Sequence, residues 1–408
     1  MKKLTFLLVM IICSLNLLAQ DWVYVGSTIN SNLYSVKLNN ANTGIIVGGD
    51  AAILKTTNGG TDWVQKSSGQ SNFLFNVFFV NSQKIIAVGV SGTIVMSTDV
   101  GESWMKINTL TTENLACISF IDENIGFISG SNNLVMKTTN GGFNWQIIST
   151  SPGAYPSCHF FNANTGIATN LLSNSIEKTT NGGVNWTSIY YTPNTPERMF
   201  FSTQDAGVTV GFNGFILKTT NSGNNWTVVQ TATKNYNLYD GKFFNSDVGL
   251  VVGRINGSGR GSIILKTVNG GNNWTFYDSL SEGVNDVAFT GDGRAVIICD
   301  SGKIFMSSSP IGIHNISTTI PNGYSLSQNY PNPFNPTTNI KFAISKKGFA
   351  KLVVFDMLGK EIETLVNQEL SPGTYEFNFD AKSLSSGTYF YRLQVDNFTS
   401  IKKMVLLK

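Results

Sequence analysis

Charge is scarce in this sequence. Only 13% of its 408 residues are Asp, Glu, Lys or Arg, and 28 basic against 25 acidic side chains leave a formal net charge of +3. No run of Lys or Arg stands out, so the electrostatic footprint of a nucleic-acid partner is missing. Histidine is nearly absent, with only His159 and His314. These two lie in different parts of the chain, and no Cys-x-x-Cys or His-x-x-x-His spacing occurs, so neither a metal nor a cofactor is expected. Beyond the first 20 residues no segment approaches the roughly 20 apolar residues of a membrane span. Cysteine is sparse too: Cys13, Cys117, Cys158 and Cys299. One lies in the leader described next, and the three that remain allow at most one disulfide. Cys117 and Cys158 stand 41 residues apart and are expected at matching places on neighbouring repeats, too distant to bond, as buried small hydrophobes.

The leader is residues 1–20: Lys2 and Lys3, an apolar stretch from Leu4 to Leu18, then Ala19-Gln20 before a polar, strand-like start at Asp21. That order reads as a secretory signal peptide. The bulky Ile12 before Cys13 argues against a lipoprotein cleavage site.

Glycine is abundant, at 40 residues, and it is arranged periodically. The segments KTTNGGTDW, MSTDVGESW, KTTNGGFNW, KTTNGGVNW, KTTNSGNNW and KTVNGGNNW end at Trp63, Trp104, Trp145, Trp186, Trp226 and Trp274, at spacings of 41, 41, 41, 40 and 48 residues. The long interval holds the Gly-rich insertion Arg254–Gly261. Trp22 falls 41 residues before Trp63, so all seven tryptophans share one register. Such a period means a repeat architecture. Within one repeat, LYSVKL, IIVGG, AILKTT and DWVQKS read as four short strands separated by Gly/Asn turns. Gly126, Gly166, Gly207 and Gly249 recur at one place in the repeat and are expected in turns needing positive φ. Trp22 has no repeat before it, and the final repeat, residues 284–309, has no tryptophan after it. The amino-terminal strand is therefore expected to complete the last unit, closing a ring of seven and removing an exposed sheet edge. The fold class expected is all-β: a seven-bladed β-propeller over 21–309, a linker over 310–323 and a small immunoglobulin-like sandwich over 324–408.

Ser97, Asp99, Gly101, Ser103 and Trp104 match the pattern Ser-x-Asp-x-Gly-x-Ser/Thr-Trp, and the other boxes place Asn58, Asn140, Asn181, Asn221 and Asn269 where Asp99 stands. A short Asp or Asn side chain accepts turn amides, Gly supplies unusual dihedrals and Trp wedges between sheets. Because the counterparts of Asp99 are uncharged, these residues are read as turn locks and not as a metal or catalytic set. On these residues the chain resembles the Asp-box (BNR) propellers. The wording G-x-x-V-G-x-x-G-x-I-x-K-T-T-N-G-G-x-x-W is similar to the photosystem II assembly and stability factors within that class.

Five of the 10 prolines lie between Pro310 and Pro336, marking the change of domain. The new unit carries Tyr330-Pro331-Asn332-Pro333-Phe334-Asn335-Pro336, Phe355-Asp356-Met357-Leu358-Gly359, a Leu384–Tyr389 segment containing Gly387 and Tyr389, and a last strand with Lys402, Lys403, Met404 and Val405. This order resembles the type A sorting domain of type IX secretion. The resemblance implies delivery by the type IX machinery, removal of the domain by its sorting peptidase, and a mature protein that is secreted or held at the cell surface. An immunoglobulin-like adhesion or carbohydrate-binding sandwich is the alternative for this region.

Asp-box propellers include sialidases and glucan hydrolases, so catalysis has to be weighed. A sialidase-like site needs three converging arginines, whereas the propeller has Arg198, Arg254, Arg260 and Arg294, two of them in one insertion. Glu197, Asp240 and Asp286 are the carboxylates within reach of the channel, and spacing alone does not pair them. The expectation is a non-catalytic module for a glycan or peptide ligand. The alternatives are a secreted glycoside hydrolase and an envelope assembly factor. The candidate ligand-binding residues are those of the long loops opposite the box turns: Tyr155, Tyr190, Tyr191, Arg198, Tyr236, Arg254 and Arg260. His159 is read as an inner-strand residue.

Overall fold

Each repeat folds into four antiparallel strands, and seven such sheets follow one another along the chain. Blade one consists of Leu33–Leu38, Gly44–Gly48, Ile53–Thr56 and Val64–Lys66. The inner strands of the next six blades are Leu74–Phe79, Leu115–Phe120, Ser157–Phe160, Pro196–Phe201, Tyr236–Phe243 and Val284–Phe289. In this computed structural model the described residues are 22–407 apart from 27–28, 40–41, 151–152, 230–234, 257–260, 309–310, 312, 318, 371 and 382–383. The segment 1–20, read above as a signal peptide, and Arg260 lie outside them.

The burial pattern explains why the apolar strands stack as blades. Second strands such as Gly44–Gly48 and Ile85–Gly89 are buried along their whole length, sandwiched between neighbouring sheets. Each Ile or Val sealed there contributes about 1.5–3 kcal/mol relative to exposure. Outer strands such as Val64–Lys66 face solvent. Closure occurs where the sequence places it: Trp22–Tyr24 pairs with Ile304–Ser307, Trp22 opposite Ser307, so the strand that precedes blade one finishes the seventh blade.

The box turns lock each blade in one way. In blade three Thr138 Oγ1 donates to Asn140 Oδ1 at 2.9 Å and accepts from the Gly142 amide at 3.0 Å. Asn140 Oδ1 also accepts from the Asn144 amide, and Trp145 Nε1 donates to the Gly142 carbonyl at 2.9 Å. The same bonds recur at Asn58/Trp63, Asn181/Trp186 and Asn221/Trp226. At Asn269 the amide bond is kept, while Trp274 Nε1 is buried without a partner among the described residues. Gly142 sits at φ +91°, and a Cβ there would meet Ile86 Cδ1 of the preceding blade at 2.3 Å. Backbone conformation and blade packing both demand glycine at that position.

Two local expectations are corrected. Gly126, Gly166, Gly207 and Gly249 do not adopt positive φ. Each opens a second strand, and a Cβ would strike the ring of Phe120, Phe160, Phe201 or Phe243 at 2.5–2.8 Å. Their requirement is room for an aromatic ring, not a turn. Cys117 and Cys158 do not occupy matching places either. Six inner strands carry a bulge near their start, as between Leu115 and Cys117, but blade four pairs without one. Its residues are thus displaced by one position, and Cys117 Sγ reaches the Cys158 backbone, accepting from its amide at 3.2 Å. All three described cysteines are buried free thiols.

The carboxy-terminal region is a sandwich of two four-stranded sheets. One is ordered Ile313–Ser317, Gly373–Asp380, Thr337–Ile344, Ser325–Leu326, and the other Glu361–Leu370, Gly348–Phe355, Gly387–Val395, Phe398–Leu406. The stretch read as linker, 310–323, thus contributes an edge strand. The proline motif is fastened to the last strand. Asn332 Oδ1 accepts from the Val405 amide and its Nδ2 donates to the Lys403 carbonyl, while the amide of the buried Phe334 donates to Val405. Pro331 O accepts from Thr338 Oγ1 at 2.7 Å, and both X-Pro bonds before Pro331 and Pro333 are cis. Gly359, at φ +79°, closes the turn begun by Asp356, whose carboxylate accepts the Leu358 and Lys360 amides. Tyr389 Oη donates to the Ser385 carbonyl. Gly387 and Lys403 are exposed and Lys402 is half-buried.

Candidate functional site: the propeller channel

Seven inner strands run side by side around a central channel, and the bulge near the start of most of them turns two successive side chains inward. The first inward position carries Tyr34, Phe75, Ala116, Pro156, Glu197, Tyr239 and Asn285, all half-buried. The next carries Ser35, Asn76, Cys117, Ser157, Arg198, Asp240 and Asp286, and two residues further stand Lys37, Phe78, Ser119, His159, Phe200, Lys242 and Ala288.

The middle ring is polar and internally paired. Asp286, 1% exposed, accepts from Lys37 Nζ at 3.0 Å and from the Val36 amide at 2.9 Å, bridging the seam where the ring closes. Arg198 Nη1 donates to the Pro156 carbonyl at 2.6 Å and the Ala116 carbonyl at 3.2 Å, and its Nε lies 3.9 Å from Asp240. Burial works against the charge of Arg198 and Lys37, but Asp240 and Asp286 respectively hold each firmly protonated. Burial, reinforced by repulsion from Asp286, pushes the Asp240 carboxyl up to about 7.

These pairs divide the channel into two chambers. The upper cup, of about 170 Å³, is lined by Tyr34, Phe75, Ala116, Glu197, Arg198, Tyr239, Asp240 and Asn285. Tyr34 and Phe75 meet edge to face at 5.5 Å. Arg254 lies 5.4 Å over the Tyr239 ring, donates to Asn285 Oδ1, and pairs with Asp300 at 2.8 Å, so it fixes one wall of the cup from behind. Burial raises the Glu197 carboxyl above its ordinary range. The lower chamber, of about 240 Å³, includes Ser119, His159, Phe201 and Lys242.

The loop residues singled out from sequence separate in the structure. Arg198 and Arg254 converge on the cup. Tyr155 is buried, donating to Glu177 and packing on Trp186, so it belongs to the core. Tyr190 and the exposed Tyr191 lie on the outer strand Thr187–Tyr191, and Tyr236 sits opposite Ile255 at the edge of blade six. Tyr34, Phe75, Tyr239 and Asn285 were missed. Their signal is positional: each stands just after the first apolar residue of its inner strand, Leu33, Leu74, Leu238 or Val284. Asp99 is held ionised by the Ser103 hydroxyl and amide and the Ser97 hydroxyl, a closed turn with no free ligand position. Among the described residues no group of three His, Cys, Asp or Glu is placed to hold a metal ion.

Fold and site together define a seven-bladed Asp-box β-propeller with a paired polar channel, followed by an immunoglobulin-like sandwich. The family described as photosynthesis system II assembly factor YCF48 matches residues 15–112 and 71–193, and the secretion system C-terminal sorting domain matches residues 328–407. The propeller is of the photosystem II assembly-factor type, and the sandwich is the sorting domain of type IX secretion, which exports the chain to the cell surface or extracellular space. Similar solved structures include YCF48 bound to D1 peptide (16% identity, TM-score 0.59, covering 71% of this chain and 95% of that one) and YCF48 from Cyanidioschyzon merolae (17%, 0.59, 71% and 98%). The Niastella koreensis GH74 enzyme is also similar (14%, 0.57, 95% and 75%). At these identities the likeness is one of fold. No curated protein matches the chain.

Proposed function

We propose that the mature protein is a non-catalytic recognition propeller that binds an extended peptide segment in the upper cup, outside the cell. The observation that carries this reading is the composition of the cup: three aromatic rings, Tyr34, Phe75 and Tyr239, beside the half-buried Glu197 and the Asn285 amide, over a floor sealed by Arg198 and Asp240. Aromatic walls with a few fixed polar groups suit a side chain that inserts while its backbone crosses the rim. The similar YCF48 propeller is seen bound to D1 peptide, which supports a peptide over a glycan. Arg198 and Arg254 serve this site by holding its floor and wall. Tyr190, Tyr191 and Tyr236 serve the blades.

A hydrolase reading has one observation in its favour, the raised carboxyl of Asp240 beside Asp286. Both carboxylates are engaged by cations at the partition between the chambers, which leaves no open face for a sugar ring between them.

The test is a peptide array probed with the full mature chain, its Tyr34→Ala/Tyr239→Ala variant and its Tyr191→Ala variant. Removing two cup rings should weaken binding at least about tenfold, in keeping with the cost of truncating buried aromatic anchors. Changing the exposed Tyr191 should leave binding intact. Loss on Tyr191→Ala with retention in the cup variant would move the site to the outer strand.

A further inference from the structure

We propose that the lower chamber of the channel is a second binding site, for a compact oxyanion such as a carboxylate, sulfate or phosphate group, held by Lys242, His159 and Ser119. The site is separate from the cup, opens on the box-turn side of the partition, and does not depend on what the cup binds.

The argument begins with pairing. Three cations face the channel, Lys37, Arg198 and Lys242, against the two carboxylates of the middle ring. Asp286 neutralises Lys37, and Asp240 together with two carbonyls occupies Arg198. Lys242 is left over: among the described residues its ammonium makes neither an ion pair nor a hydrogen bond, although it is exposed to the lumen. The Ser119 hydroxyl, itself buried, also makes no side-chain hydrogen bond among the described residues and lines the same chamber.

The wall around Lys242 works against its charge. Burial among protein atoms and then repulsion from Lys37 both disfavour its charge, and the attraction of Asp286 and Asp240 offsets them only in part. His159 is stacked on Phe201 at 4.5 Å and 16°, which fixes the ring in the chamber. Burial and the nearby Lys242 pull His159 down to about 4, so at neutral pH it offers one N–H and no charge. Ammonium, imidazole N–H and hydroxyl therefore line one small chamber without an acceptor of their own. A walled, water-accessible chamber with one surplus positive charge focuses its field on a small anion. An incoming oxyanion compensates the desolvated ammonium and accepts charge-assisted hydrogen bonds. The groups facing His159 and Lys242 across the chamber are Lys37, Asp240, Arg198 and Cys117, and Asp286 also acts on Lys242. Of the two carboxylates, Asp286 is engaged by Lys37 and Asp240 by Arg198, and among the described residues neither forms an ion pair with Lys242.

Calorimetric titration of the full mature chain with sulfate, inorganic phosphate and acetate, at constant ionic strength, tests the site. Saturable one-to-one binding of at least one anion is expected, and NMR should show the His159 pKa rising in its presence, with His159→Gln used to assign the signal. Saturation by acetate alone identifies a carboxylate ligand, and saturation by sulfate or phosphate identifies a tetrahedral one. Lys242→Gln should bind at least about tenfold more weakly, the loss expected for one charge-assisted hydrogen bond, with Ser119→Ala losing less. Tyr34→Ala/Tyr239→Ala should bind the anion unchanged, so failure of the cup and failure of this chamber are separable. Unaltered affinity in Lys242→Gln, or no saturable binding of any of the three anions, would overturn the proposal.

Discussion

The box turns and the channel are built on the same strands with the same 41-residue spacing, yet they use repetition in opposite ways. At the box, residue identity repeats: Thr or Ser, Asn or Asp, Gly and Trp recur at six turns and make nearly the same hydrogen bonds. In the channel only position repeats. The middle ring reads Ser35, Asn76, Cys117, Ser157, Arg198, Asp240 and Asp286, and its charge is concentrated in blades five to seven. Where every blade faces the same mechanical demand, the same residue answers it. Where seven strands surround one cavity, different residues give it a charged side and an aromatic side.

The largest effect expected from this contrast lies at the box. Trp145 is 8% exposed, packs edge to face on Phe120 at 5.9 Å, and ties its indole to Gly142. Trp145→Ala should cost about 3–5 kcal/mol, measured by denaturant unfolding of the full chain. A single-residue change in the channel that removes no buried ring should cost less. If Tyr34→Ala destabilises as much as Trp145→Ala, the channel is structural in the same sense as the boxes and the comparison fails.

A smaller and pH-dependent effect is expected from Asp240. Its carboxyl titrates at about 7 in the fold, for burial and Asp286, against an ordinary value of 3.8. Below the ordinary value both folded and unfolded states hold the proton, and the group is neutral to stability. Between about pH 4 and 7 the unfolded chain ionises while the fold retains its proton, so stability falls as pH rises and levels off above 7. Asp240→Asn should remove this slope, making the variant progressively more stable relative to the parent from pH 4 to 7. Parallel stability curves across that window would show that Arg198 keeps Asp240 ionised throughout.

What the sequence made legible follows the same division. Repeated identity is visible in a single chain, so the blade number, the closing strand from Trp22 and the box locks could be read directly. The site was read from long loops instead, because a loop is conspicuous and a ring of side chains drawn from seven strands is not. The bulges at pairs such as Leu33/Ser35 break the two-residue alternation and turn Tyr34 as well as Ser35 toward the channel. Their absence from blade four shifts Cys158 and His159 by one place. Neither event leaves a mark in composition. The glycines before the second strands misled for a related reason: sequence shows that a side chain is missing, while only the packed Phe120 or Phe160 ring shows why.

The smallest effect is the sharpest check on the idea that a box is a box whatever its charge. Asp99 alone carries a carboxylate where the other five have Asn, and the Ser103 hydroxyl and amide, with the Ser97 hydroxyl, hold it well below the carboxylate range. The bonds from the Ser97 hydroxyl and the Ser103 amide are also ones an Asn oxygen makes, as Asn140 does with Thr138 and Asn144, while the Ser103 hydroxyl is free to turn and accept from the new amide. Asp99→Asn loses a charge that sits in solvent and keeps an acceptor in the same place. The melting temperature at neutral pH should therefore stay where it is. A folded-state pKa depressed below the unfolded one confers stability only above the unfolded value, and that stability is lost as pH falls through the folded one. The variant should accordingly be less sensitive to acid than the parent below about pH 4. If Asp99→Asn instead lowers the melting temperature at neutral pH, blade two relies on the charge itself, and its box is a distinct element and not one of six interchangeable locks.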